Sequence, residues 1–204
     1  MQDALFDQNI PKFSAAILAG GNNSRFNGIN KSFLVVDNQY IIDRIIDVLK
    51  DIFSEIIIVS NNPEIYSEYK DFKVVTDYYQ KIGPLGGIHT ALKSAANPSV
   101  FIVSCDMPYL SNNMIIKQLD SHIKSGRDVT IPVIDGFLEP LHGIYNTAKL
   151  PELEKFIENT QKYKIIGFYD FIQVNYFNIF DTDLKNFTNI NHPDDYEKLI
   201  NNNI

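Results

Sequence analysis

Cysteine is almost missing from this chain. Cys105 stands alone among 204 residues, which excludes an internal disulfide and any multi-cysteine metal centre. Long apolar runs are also lacking, for no stretch approaches the roughly 18 to 20 residues that span a bilayer. Residues 1–12 (MQDALFDQNIPK) have neither the basic start nor the continuous apolar core of a secretion signal. Asn22-Asn23-Ser24 and Asn186-Phe187-Thr188 are therefore read as chance matches to the glycosylation pattern. Positive charge is in deficit: 18 Lys and Arg against 25 Asp and Glu leave a net charge of −7. A nucleic-acid surface needs clustered cations and is not expected. A small phosphorylated ligand stays open, because a few local cations, main-chain N–H groups or a metal ion suffice for it. The sequence has no low-complexity tract, long charge run or internal period. Its four histidines are scattered without ligand spacing, so structural roles are expected for them. A soluble, cytoplasmic protein with no membrane segment is the expectation.

What is present is alternation. Phe13 to Ala19, Glu55 to Val59, Lys73 to Val75, Val100 to Cys105 and Asp128 to Val133 are short β-rich apolar runs. Several are apolar on consecutive residues, as expected of strands buried on both faces. Between them, Ile41, Ile42, Ile45, Ile46 and Leu49 recur at helical spacing, with Asp43, Arg44, Asp47 and Lys50 opposite. Leu85 to Ala96 and Asn112 to Lys124 are further helix candidates, with Pro84 and Ser111 at first-turn and N-cap positions. After residue 136 an extended segment interrupted by Pro140 is expected, then a helix over Leu150 to Glu158, a strand over Gln173 to Asn178 and a helix over Pro193 to Ile200. The pattern predicts one three-layer α/β domain over residues 1–204, with a mostly parallel sheet, helices on both faces and residues 1–12 as a short extension. Ligands in such sheets bind at the carboxyl ends of the strands.

The stretch Leu18 to Lys31 (LAGGNNSRFNGINK) begins at that edge. Gly20 and Gly21 let a ligand approach the main chain closely, and successive N–H groups in such a turn form an anion-binding nest. Arg25 offers a planar fork for phosphate oxygens and Lys31 a mobile point charge. A tight strand-to-helix turn with two solvated cations is the plainer alternative. Neither G-x-G-x-x-G nor G-x-x-x-x-G-K-[ST] is met. Asp106 follows a second apolar run and projects at the same edge. It suits Mg²⁺, which takes few protein oxygens and completes its shell with phosphates and water; a capping aspartate in a turn is the alternative. Cys105, ending a buried strand, is expected to be a core residue.

L-A-G-G-x-x-x-R-x-x-x-x-x-K resembles the signature loop of nucleotidyltransferases with a Rossmann-like fold, and among them the chain is most similar to the molybdenum cofactor guanylyltransferases, the MobA-like family. Gly83 to Gly87 (GPLGG) after Asp77, Ser104 to Pro108 (SCDMP) and Asn189 to Asp195 (NINHPDD) match further segments of that family, in order, over roughly residues 13 to 200. The resemblance implies Mg²⁺-dependent transfer of GMP from GTP to the phosphate of molybdopterin, with release of pyrophosphate. Arg25, Lys31 and Asp106 are the implied catalytic residues. Leu18, Ala19, Gly20, Gly21, Lys31, Asp77, Gly83, Pro84, Leu85 and Asp106 are the implied nucleotide-binding set, with Asp106 on the metal and Asn191 near the metal or acceptor. Transient contact with other cofactor-synthesis proteins or acceptor molybdoenzymes is implied as well.

Asp77 beside a glycine-rich turn suits guanine, whose N1–H and N2–H₂ are adjacent donors for one carboxylate; cytosine lacks that pair. LAGG and GPL look like the guanylyl-transferring members, whereas cytidylyl-transferring relatives more often show LAAG. Three positions depart from the family pattern: Glu139 stands where glutamine is common, Asn30 where aspartate is frequent, and Phe26 where methionine is usual. A cytidylyl or sugar-nucleotide transferase and a non-catalytic GTP sensor remain alternatives. A Rossmann dehydrogenase is disfavoured by the missing glycine fingerprint.

Overall fold

A computed structural model of the chain describes residues 12–20, 26 and 29–201. Its centre is β1 (Phe13–Leu18), buried along its whole length. On one side β1 pairs in parallel with β4 (Glu55–Val59), and β4 with β5 (Lys73–Val75). On the other it pairs in parallel with β6 (Ser99–Ser104). The chain therefore reverses its direction of winding at β1, and such a switch point opens a crevice outside the carboxyl ends of the strands. A short hairpin, β2 (Val35–Val36) with β3 (Gln39–Tyr40), lies outside this sheet.

The second half adds β7 (Val129–Ile134), β8 (Phe137–Leu138), β9 (His142–Asn146) and β10 (Val174–Asn178). The path across the sheet runs β10-β7-β9-β6-β1-β4-β5, with β8 on β7. β9 runs antiparallel between β6 and β7, so the sheet is mixed rather than wholly parallel. The reason is local. After β7 the chain turns back through Asp135 and Gly136, both with positive φ, and Pro140 separates the two halves of the returning strand. The extended segment expected over 137–145 is thus two strands.

Consecutive residues of β1 serve opposite layers. Ala15 and Ile17 pack with α1 (Ile41–Lys50) and α3 (Asn112–Ser125), through Ile41, Ile45, Leu49, Met114 and Ile115. Ala16 and Leu18 pack with α2 (Pro84–Ser94) and α4 (Leu150–Asn159), through Leu85, Ile88, Leu153 and Ile157. Small residues at 15 and 16 let both layers approach the central strand. The one-turn α5 (Ile165–Phe168) joins the second layer through Phe168, and α6 (Pro193–Asn201) leans on the first through Tyr196 and Leu199. This three-layer α/β architecture agrees with the alternation read from the sequence. Among the described residues no helix is long and apolar enough to cross a membrane.

The start of α2 is held tightly. A Cβ on Gly86 would stand 2.5 Å from the Tyr79 carbonyl oxygen, a main-chain atom that cannot swing aside. Alanine normally gains about 1 kcal/mol over glycine inside a helix, yet here the contact reverses the sign. Gly86→Ala should lower stability by about 1–3 kcal/mol, measured as a shift of the urea midpoint at unchanged slope.

Candidate active site

Four strands of one direction end side by side, and two residues beyond each end stands a glycine or a polar residue. Gly20 follows β1, Asn61 follows β4, Asp77 follows β5 and Asp106 follows β6. The antiparallel β9 brings its beginning, and with it Glu139, to the same edge: the Ser104 amide at the end of β6 donates to the Leu141 carbonyl at 3.0 Å.

Two groupings form there. In the first, the Lys31 ammonium donates to Asp106 Oδ2 at 3.1 Å, joining segments 75 residues apart. The side chains are only 17% and 15% exposed, so the pair is largely withdrawn from water. Lys31 opens a 3-10 turn, Lys31–Phe33, that Asn30 caps by accepting the Ser32 amide at 2.9 Å. The buried Ser32 hydroxyl bonds the Tyr66 hydroxyl at 2.9 Å, and Asn30 Nδ2 donates to that same oxygen at 3.2 Å. Lys31 thus sits between two residues pinned to one tyrosine. Burial pushes the Tyr66 phenol up to about 12, keeping it a neutral partner. The Phe26 ring lies 5.5 Å from the Lys31 ammonium. Asp106 is anchored through its main chain, its carbonyl accepting from the Ile190 amide at 3.0 Å while the Cys105 amide before it donates to Leu18 at 3.1 Å.

In the second grouping, Asn61 Nδ2 donates to Asp77 Oδ2 at 2.8 Å and the Asp77 amide donates back to Asn61 Oδ1 at 3.3 Å. Gly20 lies against this pair. A Cβ there would stand 3.4 Å from Asn61 Nδ2 and 3.8 Å from Asp77 Oδ2, so any larger residue would push into the space the pair borders. Asp77 Oδ1 is buried and has no hydrogen-bond partner among the described residues. Burial raises the Asp77 carboxyl above its ordinary range, outweighing the bonds from Asn61 and Thr90 that lower it. Two buried imidazole nitrogens, His89 Nδ1 and His142 Nε2, also lack partners. In each the other ring nitrogen faces a side-chain oxygen, so the bare one is an acceptor that an apolar setting tolerates. A bare carboxylate oxygen is different, because its charge needs a donor.

The remaining expected residues fall as follows. Leu18 and Ala19 are buried, and their side chains belong to the core. Their sheet-facing groups are already used, Leu18 O by Cys105 and Ala19 N by Val59 at 2.8 Å. Gly83 has φ +68°, a conformation suited to glycine, and precedes Pro84, the first residue of α2. Leu85 is wholly buried and anchors that turn rather than facing the edge. Asn191 is exposed; its amide and that of His192 donate to Asp195 Oδ2 at 3.0 and 2.8 Å. It follows Ile190, whose amide holds Asp106. Gly21 and Arg25 lie outside the described residues. Glu139 is half-buried, and burial, then the nearby Asp106 charge, raise its carboxyl. Cys105 is buried, its thiol pushed up to about 12 by burial, in line with a core role. Asn61 was not singled out in the sequence; a lone asparagine after a buried strand was its only signal.

A raised acid weakens the folded state once it ionises. Asp77 in the fold binds its proton more tightly than in the unfolded chain, where the ordinary value is 3.8. Its contribution is intact below that value and is lost as pH rises through the raised folded value. Asp77→Asn should therefore unfold at higher temperature than the parent at pH 7, and the advantage should vanish below about pH 4; differential scanning calorimetry across that range checks it.

Known proteins resemble this chain over most of its length. Residues 15–172 match the MobA-like NTP transferase domain. A probable molybdenum cofactor guanylyltransferase of Clostridium perfringens strain 13 is 42% identical over 93% of this chain and 96% of its own length. The molybdenum cofactor guanylyltransferase of Syntrophotalea carbinolica is 31% identical over 92% and 90%. Among solved structures, molybdopterin-guanine dinucleotide biosynthesis protein A from Archaeoglobus fulgidus superposes with a TM-score of 0.78 at 25% identity, covering 92% of this chain and 97% of that one. With its fold and most of its length in agreement, the chain belongs to the MobA-like NTP transferase family.

Proposed function

We propose that the protein transfers GMP from GTP to the phosphate of molybdopterin and releases pyrophosphate. The observation that carries the reading is the Lys31–Asp106 contact at 3.1 Å, a cation and an anion from distant motifs brought to the edge where this fold binds ligands. The names of its relatives support guanosine as the nucleoside and molybdopterin as the acceptor.

The donor set fits a hard divalent cation held mainly by phosphates. Asp106 offers one carboxylate at the edge, and among the described residues no group of three or more His, Cys, Asp or Glu forms a protein cage. Mg²⁺ commonly takes one or two carboxylates and leaves its other positions to phosphate and water. Bound there, it would offset charge on the phosphate oxygens. Asp106 is the residue that would hold it, and Asn191 flanks the same turn.

The chain's own residues supply position and charge. The amides at Gly20 and Gly21 cradle phosphates. Lys31 leaves Asp106 for the α- and β-phosphate oxygens as negative charge grows there, and Arg25 is assigned the same charge-offsetting role. Asp77 accepts the paired N–H donors of guanine through its bare oxygen, and the Gly83-Pro84-Leu85 turn borders the base. An acceptor phosphate oxygen forms the new bond to the α-phosphorus, opposite the breaking bond to the β-bridging oxygen, whose electron pair leaves with pyrophosphate. No general base is required, because a phosphate acceptor is already ionised at neutral pH.

Thermal unfolding with GTP, CTP, UTP or ATP, with and without Mg²⁺, tests the cosubstrate: GTP should stabilise most, and preference for CTP would redirect the assignment. Pyrophosphate release that needs both GTP and molybdopterin separates an enzyme from a GTP sensor. Lys31→Ala should lose about 10² to 10³ in turnover, while unchanged turnover would remove Lys31 from the chemistry. Asp106→Ala should show no Mg²⁺-dependent activity, and activity retained at ordinary Mg²⁺ would reassign the metal.

A further inference from the structure

Arg44 sits on the side of α1 that the helical pattern leaves to solvent, yet its side chain is only 23% exposed. Its guanidinium spends all three nitrogens on main chain or charge. Nε donates to the Pro108 carbonyl at 3.0 Å, Nη1 donates to the Val36 carbonyl at 3.3 Å, and Nη2 pairs with Asp37 at 3.3 Å. The same group lies 5.6 Å from the centre of the Tyr109 ring, which Lys185 approaches at 4.4 Å.

The two carbonyls belong to the two limbs of the site. Pro108 is two residues beyond Asp106, in the turn that carries the carboxylate. Val36 closes the segment that begins at Lys31, linked to it by the Leu34 amide on the Lys31 carbonyl at 3.2 Å and returned to α1 by the Ile41 amide on Leu34 at 3.0 Å. One rigid fork thus spans the lysine limb and the aspartate limb. A lysine could reach either carbonyl but could not hold both in fixed directions, since its ammonium is a point charge on a flexible stem.

We propose that Arg44 is a positioning residue for the transfer reaction: it sets the distance between Lys31 and Asp106 and so tunes how well Asp106 holds the divalent cation. This rests on the guanylyl-transfer reading. Arg44 touches neither nucleotide nor metal in this scheme. It acts through the 106–109 turn, as outer partners of metal ligands do elsewhere.

The test uses the full chain with Mn²⁺ as the spectroscopic probe and GTP as the nucleotide. In Arg44→Ala, Mn²⁺ binding with GTP present, read by electron paramagnetic resonance, should weaken by about 10- to 100-fold. Turnover with molybdopterin should fall more than the KM for GTP rises. Millimolar ethylguanidinium should restore part of the turnover, and ethylammonium should not. Arg44→Lys, which keeps the charge and loses the fork, should match the alanine variant in Mn²⁺ affinity and turnover. If Arg44→Ala does not fold, Arg44→Lys carries the test alone. A folded variant with parental Mn²⁺ affinity and turnover overturns the assignment, even if it melts earlier. An unsubstituted protein that releases no pyrophosphate from GTP and molybdopterin would instead overturn the guanylyl-transfer reading, so the two failures are distinguishable.

Discussion

Lys31 and Asp106 hold each other where neither is fully wetted. Removing two opposite charges from water is expensive, and their attraction only offsets that expense when the geometry is good. The surroundings keep the geometry good. Asn30, Ser32 and Tyr66 fix the turn that carries the lysine, while Ile190 and Leu18 fix the main chain around the aspartate. The pair also solves a problem of the ligand-free protein. A lone carboxylate or lone ammonium in that place would be a half-buried, uncompensated charge, which is costlier than the pair. Each charge thus compensates the other.

Apart from two bare imidazole nitrogens, the buried side-chain polar groups elsewhere among the described residues are satisfied for structure's sake. His122 bonds Thr130 at 2.9 Å and is held down to about 4 by burial, so it stays neutral. His142 and Gln118 bond each other, and Gln118 also donates to the His142 carbonyl at 2.8 Å. Tyr145 and Tyr169 share a hydroxyl contact of 2.9 Å beneath α5. Asp77 breaks this habit. It spends one oxygen on Asn61 and leaves the other bare beside a glycine. Proteins concentrate such local imperfections where ligands bind.

The strands and helices were legible because their apolar residues are unambiguous. Glu55–Val59 and Lys73–Val75 have the bounds their composition suggested, and Ile41, Ile42, Ile45, Ile46 and Leu49 all face the core. Gly20 and Asp106 were legible as sharing an edge because the parallel strands before them end together. Three features were not. The antiparallel insertion of β9 depends on a reversal at Asp135 and Gly136 that no periodicity announces. Asn61 becomes informative only once β4 is known to lie beside β1 and β5, since its meaning is its pairing with Asp77. Arg44 looked like the wet side of an amphipathic helix, because a long side chain can turn back over a surface that a one-dimensional pattern cannot see.

The bond from Ile190 to Asp106 has a consequence for how the protein is made. Chains emerge from the ribosome from the amino end, and Gly20, Lys31, Asp77 and Asp106 have all emerged while the later segments are still inside. Asp106, however, receives its last main-chain anchor from a residue far downstream. A nascent chain with β1 to β7 complete would have the outline of the crevice and a loosely held carboxylate. The anchoring of Asp106 is therefore completed late in translation, near residue 190, after most of the core-forming residues have emerged.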